Sequence, residues 1–380
     1  MKIKQQHFVQ DKWLEKSSDA GFNINKAQLV FALGSTQLIA NKELFDYLKN
    51  IHPAANILCA STAGEIIGDD VVDNSIVVTA IEFDKTNVKC IETNIQDHEN
   101  SFETGKYLMQ QLNADDLVGV FIISDGIKIN GSSLVSGLNE NNNRQVPVTG
   151  GLAGDAARFD KTYVGLNHSP AEGNIVAVGF YGKHLKIGHG SFGGWDEFGR
   201  ERIITKSDKN ILYEIDGRNA LELYKEYLGT YAAELPGSAL LFPLSLKIED
   251  PATTLVRTIL SINEKEKSMT FAGDLPEGSK VRLMKANLDK LIDASSSAAK
   301  QSLKNQTQQP QLAFLISCVG RRLILQERSY EEIQAAKSIF GNATSIGGFY
   351  SYGEISPYNQ YTSCELHNQT MTITTFTEIT

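Results

Sequence analysis

The sequence predicts an α/β fold built from repeated βαβ units with mixed sheets, arranged in two lobes. Three observations indicate this fold. Three segments follow one plan: an apolar strand, an amphipathic helix, a second apolar strand, and a glycine-rich turn that ends in Gly-Glu or Gly-Asp. Two of these segments have the same internal spacing. Each of the three is followed by a further β-branched run, which favours an additional strand.

The three units lie in order along the chain. Phe31 to Gly64 and Phe121 to Gly154 are each 33 positions apart by subtraction of the residue numbers, and the third unit is longer. Because a helix links the two strands of each unit, those strands are expected to run parallel. The predicted first strand, helix and start of the second strand are 30–33, 41–49 and 57 in the first unit, 120–124, 132–141 and 146 in the second, and 313–317, 330–340 and 346 in the third.

The segments outside the units complete the predicted architecture. The β-branched runs at 75–83, 174–181 and 370–377 are predicted antiparallel or mixed-sheet strands. Residues 185–284 contain several strand signals, a helix at about 219–228 and an apolar run at 238–246 that is interpreted as a buried strand. Ser132 is predicted to cap the helix of the second unit. The chain is therefore divided into two domains, 28–200 and 201–377.

Composition excludes several classes of protein. A length of 380 residues, 41% hydrophobic residues and a net charge of −9 indicate a folded, moderately acidic chain that is a poor partner for nucleic acid or anionic lipid. No apolar run reaches the length of a membrane span, and the N-terminus lacks the apolar core of a signal peptide. The four cysteines form no C-x-x-C pair, which favours the cytoplasm.

The glycine-rich turns are the first candidate ligand site. They follow the carboxyl ends of parallel strands, where α/β sheets bind ligands, and glycine permits positive φ and close approach. The acids of the turns are expected at corresponding positions; the alternative interpretation is that they satisfy nearby backbone N–H groups. The turns match neither phosphate-loop pattern nor a G-x-S-x-G elbow. The candidate residues are Glu65, Gly150, Gly151, Gly154, Asp155, Gly347, Gly348, Tyr352 and Glu354.

Histidines and aromatic residues near the third turn indicate a pocket for a flat ligand. No histidines show zinc-site spacing, and each taken alone is more typical of a structural residue. Nevertheless, His367 follows soon after an aromatic-rich stretch, and His184 and His189 flank a glycine-rich strand. The aromatic residues of that stretch are Phe349, Tyr350, Tyr352, Tyr358 and Tyr361. Core packing is the alternative interpretation of this stretch.

Several separated motifs resemble the FIST sensory domains of bacterial signal transduction. These motifs cover about residues 28–377 and comprise 121–126 and TGGLAGD at 149–155, then NILYEIDG at 210–217, GGFYSYGEI at 347–355 and LHNQT at 366–370. The resemblance implies a sensor with an N-terminal and a C-terminal FIST part and no catalytic site. Some members of the family bind haem b and sense nitric oxide, acting in trans on a histidine kinase or a cyclic-di-GMP enzyme.

Two ligand chemistries stay open at this point. A haem sensor needs a neutral imidazole on iron, for which His367 is the preferred ligand and His184 and His189 are runners-up. Alternatively, a small polar metabolite such as an amino acid binds to Glu65, Asp155, Glu354 and the turn N–H groups without haem. A hydrolase using Ser124 or Cys59 is disfavoured because no base is recognisably paired with either, so the chain is predicted not to be an enzyme.

Overall fold

A computed structural model describes residues 1–143, 145–247, 254–304, 306–358 and 363–379. Tyr361, one of the aromatic residues discussed above, lies outside these residues. In the described residues the strands are β1 Lys2–Val9, β2 Lys12–Ser18, β3 Leu29–Gly34, β4 Asn56–Ser61, β5 Glu65–Ile67, β6 Asp70–Val72, β7 Ile76–Glu82, β8 Asn87–Asn94, β9 Leu117–Ser124, β10 Val148–Leu152, β11 Val164–Leu166, β12 Asn174–Tyr181, β13 Leu185–Phe192, β14 Asp196–Asp208, β15 Ile211–Ile215, β16 Arg218–Asn219, β17 Leu244–Lys247, β18 Thr254–Arg257, β19 Ile259–Asn263, β20 Ser268–Phe271, β21 Lys280–Lys285, β22 Leu312–Cys318, β23 Ser345–Ser351, β24 Gly353–Pro357, β25 Cys364–His367 and β26 Met371–Glu378. The α-helices are α1 Thr36–Ile39, α2 Lys42–Ile51, α3 Ser101–Leu112, α4 Gly131–Glu140, α5 Ala220–Leu228, α6 Leu288–Ser302, α7 Val319–Leu325 and α8 Ser329–Phe340. Short 3₁₀ helices cover Ile95–Asp97, Gly229–Glu234, Gly237–Leu241 and Gln326–Arg328.

The predicted βαβ units are confirmed. In each unit the two strands run parallel, as β3 with β4, β9 with β10 and β22 with β23. The connecting helices are α2, α4 and α8, preceded in the first unit by α1 and in the third by α7. The trailing strands β7, β12 and β26 pair antiparallel with the first strand of their own unit. All three strands are buried along their whole length. The largely apolar composition of β7 and β12 fits this burial, whereas β26 includes several threonines.

The three units exchange strands cyclically. The strand after each glycine-rich turn leaves its own sheet, so that β5 of the first unit pairs with β23 of the third. Likewise β24 of the third unit pairs with β10 of the second, and β11 of the second pairs with β4 of the first. The result is three interlocked six-stranded sheets, which we call the three-sheet body.

A cluster of three phenylalanines lies where the sheets face one another. Phe31, Phe121 and Phe314 occupy the same place in β3, β9 and β22, and their ring centroids are 4.9–5.4 Å apart. All three side chains are buried and belong to one apolar core. The third unit therefore shares its core with the first two, although about a hundred residues of other structure precede it in the chain.

A fourth sheet is inserted between the second and third units. Its main path runs β18-β17-β21-β14-β15-β20-β19, with helix α5 packed on its own apolar core. It begins at Asp196 and ends at Lys285, after which α6 lies against β13 and β26 of the three-sheet body. The predicted domain limits of 28–200 and 201–377 stay a prediction.

Two local predictions differ from the structure. Asn130, not Ser132, caps α4, because its side chain accepts from the Ser133 N–H at 2.9 Å. The apolar run at 238–246 is a 3₁₀ helix followed by β17, since Pro243 lacks the N–H that a strand ladder needs and stands just before the strand. In the part of the chain that the structure describes, no helix is both long and apolar enough to cross a membrane.

Candidate functional site

The three glycine-rich turns meet in a ring at one end of the three-sheet body. Backbone hydrogen bonds join each turn to the next. The Ala63 N–H donates to the Tyr350 carbonyl at 2.8 Å, and the Gly154 N–H donates to the Ser61 carbonyl at 3.0 Å. The Tyr352 N–H closes the ring by donating to the Leu152 carbonyl at 3.2 Å. The three turns are therefore in direct contact with one another.

The acids of the turns do not all correspond, which corrects the prediction from equal spacing. Phe31 stands opposite Leu58, but Phe121 stands opposite Thr149, so the second unit has one more residue between its paired strands. Phe314 stands opposite Gly347. Six residues after these partners, where the turn lies, the three units have Gly64, Asp155 and Gly353. At the next position, where the first and third units have an acid, they have Glu65, Ala156 and Glu354.

Glu65 and Glu354 are buried in matching hydroxyl cages. The Glu65 carboxylate accepts from the Thr62 hydroxyl at 2.6 Å and the Ser75 hydroxyl at 2.7 Å. Glu354 accepts from the hydroxyls of Ser351 at 2.8 Å and Thr370 at 2.9 Å. Burial raises the pKa of Glu65 to about 7 and that of Glu354 to about 8, against the opposing effect of these hydroxyl donors. Both carboxyl groups thus have partners within the chain itself.

Asp155 is buried and is held by a salt bridge. Its carboxylate accepts from the Thr36 hydroxyl at 2.5 Å and pairs with the Arg158 guanidinium. Burial opposes ionisation, but the hydrogen bonds from Arg158 and Thr36 outweigh it and hold the pKa of Asp155 below its ordinary value. The carboxylate is consequently ionised, and its charge is already paired with that of Arg158.

The candidate glycines allow strands and turns to approach one another. Gly150 and Gly348 have φ of +142° and +156°, and a Cβ there would lie 1.9 and 1.8 Å from the carbonyl oxygens of Ile122 and Leu315.

The other candidate glycines are explained by close packing. Gly154 lacks the predicted positive φ, but a Cβ on it would lie 2.7 Å from the Ala63 nitrogen. Gly151 pairs with Glu354 in the sheet, and a Cβ on Gly347 would lie 3.0 Å from the Thr79 hydroxyl. The packing of the chain thus accounts for these glycines, and their ligand-binding role stays a prediction.

A cleft of about 660 Å³ lies between the three-sheet body and the fourth sheet. Four large apolar side chains lining it remain partly exposed: Ile127 at 41%, Phe159 at 44%, Leu260 at 48% and Leu323 at 36%. Of the residues predicted to form the site, only Tyr352 lines this cleft. Four of the eleven large apolar side chains that are exposed in the described residues thus line one concave site, and a concave, partly apolar lining is the usual character of a small-molecule pocket.

A few polar contacts fix the two walls of the cleft relative to each other. The Asn130 amide donates to the Asp274 carboxylate at 3.1 Å, and the Asp274 N–H donates to the Ser132 hydroxyl at 3.1 Å. Behind this wall the buried Arg257 guanidinium donates to the carbonyls of Asp274 and Leu366, each at 3.0 Å. Residues of the fourth sheet are therefore tied directly to α4 and β25 of the three-sheet body.

His367 does not fit the role of a haem ligand. Its side chain is 1% exposed, its Nε2 lies 2.9 Å from the Ser356 carbonyl, and it lines neither this cleft nor the cavity beside His189. Burial lowers its pKa to about 4, so the ring is neutral and donates to that carbonyl. His184 is also engaged, with Nδ1 3.2 Å from the Ile379 carbonyl.

His189 differs from the other two histidines. Its Nδ1 is buried without a hydrogen-bond partner, and burial lowers the pKa of the ring to about 4. It lines a second cavity of about 370 Å³, together with Lys186, Gln301 and Lys304. His189 therefore combines a neutral ring, whose Nδ1 is buried and unpartnered, with a position in the lining of a cavity. No group of three or more metal-ligating side chains occurs in the described residues.

The two candidate nucleophiles lack the surroundings of a catalytic residue. Burial raises the pKa of Cys59 to about 12, which disfavours the thiolate. Ser124 is buried, and its hydroxyl donates to the Asp125 carbonyl at 3.1 Å.

The sequence does not indicate which apolar residues line the cleft. Ile127, Phe159, Leu260 and Leu323 come from four separate segments and share no motif. An aromatic residue within the polar run ARFDK at 157–161 is the one local signal, because an aromatic side chain is uncommon among the polar residues of a loop.

Two protein-family models together match most of the chain. The FIST N domain model matches residues 28–218, and the FIST C domain model matches residues 220–357. Over 340 residues the chain is 25% identical to an uncharacterized protein of Methanocaldococcus jannaschii. That similarity covers 82% of this chain and 64% of the relative, so the chain spans less than two thirds of the relative's length.

Proposed function

The chain belongs to the FIST family, whose domains are sensory domains in signal transduction, and we propose that it senses a small molecule bound in the cleft between the three-sheet body and the fourth sheet. The single observation that carries this proposal is the exposed apolar lining of the cleft. Four large apolar side chains stay accessible there, although the chain buries comparable residues in its cores. A bound apolar molecule would cover them.

The position of the cleft suits a sensor. One wall comes from α4 and the loops of the three-sheet body, and the other comes from β19, β20 and the segment that follows them in the fourth sheet. A ligand that contacts both walls stabilises one relative placement of the two parts over others, which is the requirement for a population shift. The signal is proposed to pass in trans to a histidine kinase or a cyclic-di-GMP enzyme.

Fluorescence titration with 8-anilinonaphthalene-1-sulfonate tests the proposal. Leu260→Asp places a charge in the cleft wall, and Leu14→Asp is a matched control because Leu14 is 50% exposed on β2, outside the cleft. Saturable binding that Leu260→Asp weakens by about tenfold or more, with Leu14→Asp equal to wild type, supports the cleft. Equal binding by all three proteins contradicts it.

A haem-dependent nitric oxide sensor is the second candidate function, and His189 favours it. Haem, when bound, supplies the iron to which a diatomic gas binds. The unpartnered Nδ1 of His189 fits a neutral axial ligand, and Lys186 and Lys304 on the same cavity fit the propionates. This proposal moves the predicted ligand from His367 to His189.

Absorbance titration with hemin separates the histidines. The haem proposal expects a stoichiometric Soret band that shifts with nitric oxide, is lost in His189→Ala and is kept in His367→Ala. A band of unchanged position and intensity in His189→Ala counts against this ligand, and a protein that takes up no hemin counts against haem altogether.

An amino-acid sensor built on Glu65, Asp155 and Glu354 receives less support. Each of these carboxyl groups is at most 2% exposed and has partners within the chain. An ammonium group would have to displace the hydroxyl cages of Glu65 and Glu354 or the Arg158 guanidinium.

A further inference from the structure

The second unit departs from the other two directly after its turn. In the first and third units a buried glutamate follows the turn glycine, and the chain enters β5 or β24 at once. In the second unit Ala156 takes the place of the glutamate, and residues 156–163, here called the second-unit loop, precede β11. This loop carries Phe159 into the cleft wall. The break in the repeat thus coincides with the candidate ligand site.

The backbone of the second-unit loop is held in a costly conformation. Ala156 and Phe159 have φ of 50° and 52°, in the left-handed region that is rare for a bulky residue. The Tyr352 hydroxyl accepts from the Phe159 N–H at 3.1 Å and donates to the Ala156 carbonyl at 3.3 Å. An ion pair also joins Arg158 of this loop to Asp155, the residue that precedes the loop. These contacts fix where the Phe159 side chain stands.

The Phe159 ring is stacked on the ring of Tyr352. The centroids are 4.5 Å apart and the planes are inclined by 21°, yet Phe159 remains 44% exposed and lines the cleft. Tyr352 belongs to the third unit, so the ring of one unit rests on that of another. The pair therefore presents an aromatic surface whose orientation is set before any ligand arrives.

From this arrangement we infer that Phe159 is a ligand-contacting residue that selects planar aromatic molecules, an inference that rests on the proposed function of the cleft. A planar aromatic ligand gains stacking with this ring in addition to the burial of its apolar area. Stacked aromatic pairs contribute enough beyond buried area to change affinity by roughly 2- to 12-fold. A saturated ligand of the same skeleton gains the burial alone.

Calorimetric titration with 2-naphthol and decahydro-2-naphthol tests the inference, because the two probes share a skeleton and a hydroxyl group but differ in planarity. The variants are Phe159→Leu, which keeps an apolar side chain, and Phe159→Trp, which restores an aromatic ring. Phe192→Leu is the matched control, since Phe192 is 41% exposed on β13 and does not line the cleft. Circular dichroism and thermal melting establish that each variant is folded.

The expected result is a preference of wild type for 2-naphthol that Phe159→Leu reduces by roughly 2- to 12-fold, whereas Phe159→Trp and Phe192→Leu keep it. Equal affinity of wild type for the two probes, or an undiminished preference in Phe159→Leu, overturns the inference. If the anilinonaphthalene probe binds in the cleft and neither naphthol binds, the inference alone fails. If no probe binds in the cleft, the proposed function fails with it.

Discussion

The ring of Phe31 lies 4.9 Å from the ring of Phe314, centroid to centroid, although the two residues stand near opposite ends of the chain. Both also contact the ring of Phe121. The three side chains occupy corresponding positions of three repeated units, so the repeat in the sequence is also a repeat in space. The third unit is therefore part of the body formed by the first two.

Removing one ring of this cluster should destabilise the protein strongly. Phe314→Ala leaves a cavity among buried rings and is expected to lower the free energy of unfolding by about 3–5 kcal/mol. Chemical denaturation measures the change. The control Phe192→Ala, on an exposed ring, should stay within about 0.5 kcal/mol of wild type. A small effect of Phe314→Ala would show that the three units do not share one core.

Gly348→Ala should be among the most damaging single-methyl additions in the chain. The new Cβ would lie 1.8 Å from the Leu315 carbonyl oxygen at a φ of +156°, so the strands must separate. Steric overlap and backbone strain together are expected to cost about 3 kcal/mol or more. Gly237→Ala, where a Cβ meets nothing within 4 Å, serves as the control in the same thermal melts. Similar melting temperatures for the two variants would contradict this account of the turn glycines.

The buried carboxyl group of Glu354 should make stability fall with rising pH. Burial raises its pKa to about 8 from an ordinary 4.5, so the folded state retains a proton that the unfolded state releases. The stabilisation is fully present below pH 4.5 and is lost as the pH rises through about 8. The melting temperature of wild type relative to Glu354→Gln should therefore decrease between pH 5 and pH 9. A difference between wild type and Glu354→Gln that stays flat over this range would refute the prediction.

The Arg321–Glu332 pair should contribute to the attachment of the fourth sheet. Both side chains are fully buried, with the guanidinium 2.8 Å from the carboxylate. The same guanidinium donates to the carbonyls of Gly193 and Leu291, just before and just after the fourth sheet. Arg321→Met leaves the Glu332 charge buried and is expected to cost about 3–5 kcal/mol by chemical denaturation. Arg328→Met, which removes two exposed ion pairs, should unfold close to wild type; equal effects of the two substitutions would contradict the role of burial.

Periodicity in the sequence predicts the local elements of this fold correctly, because each βαβ unit buries long apolar strands. The exchange of strands between units is not predictable in the same way. β5 and β11 have only three residues each, and their partners lie in another unit. Equal spacing also misleads at Asp155, since one additional residue between β9 and β10 shifts the register and places this acid at the position of Gly64 and Gly353.

The candidate site is less predictable than the fold. Glu65 and Glu354 occupy corresponding positions, as the repeat predicts, but their burial and their hydroxyl partners depend on tertiary structure. The cleft is absent from the sequence pattern because its walls come from distant segments. Tyr352 is the predicted residue that does line it, through its stacking with Phe159.

Hydrogen–deuterium exchange of the protein saturated with 8-anilinonaphthalene-1-sulfonate tests the central claim most directly, because it locates the bound molecule on the chain. A ligand in the cleft should slow exchange in residues 126–131, in the second-unit loop at 156–163 and in residues 259–274. Protection confined to residues 186–189 and 301–307, beside His189, would contradict the cleft as the sensing site, as would no protection anywhere.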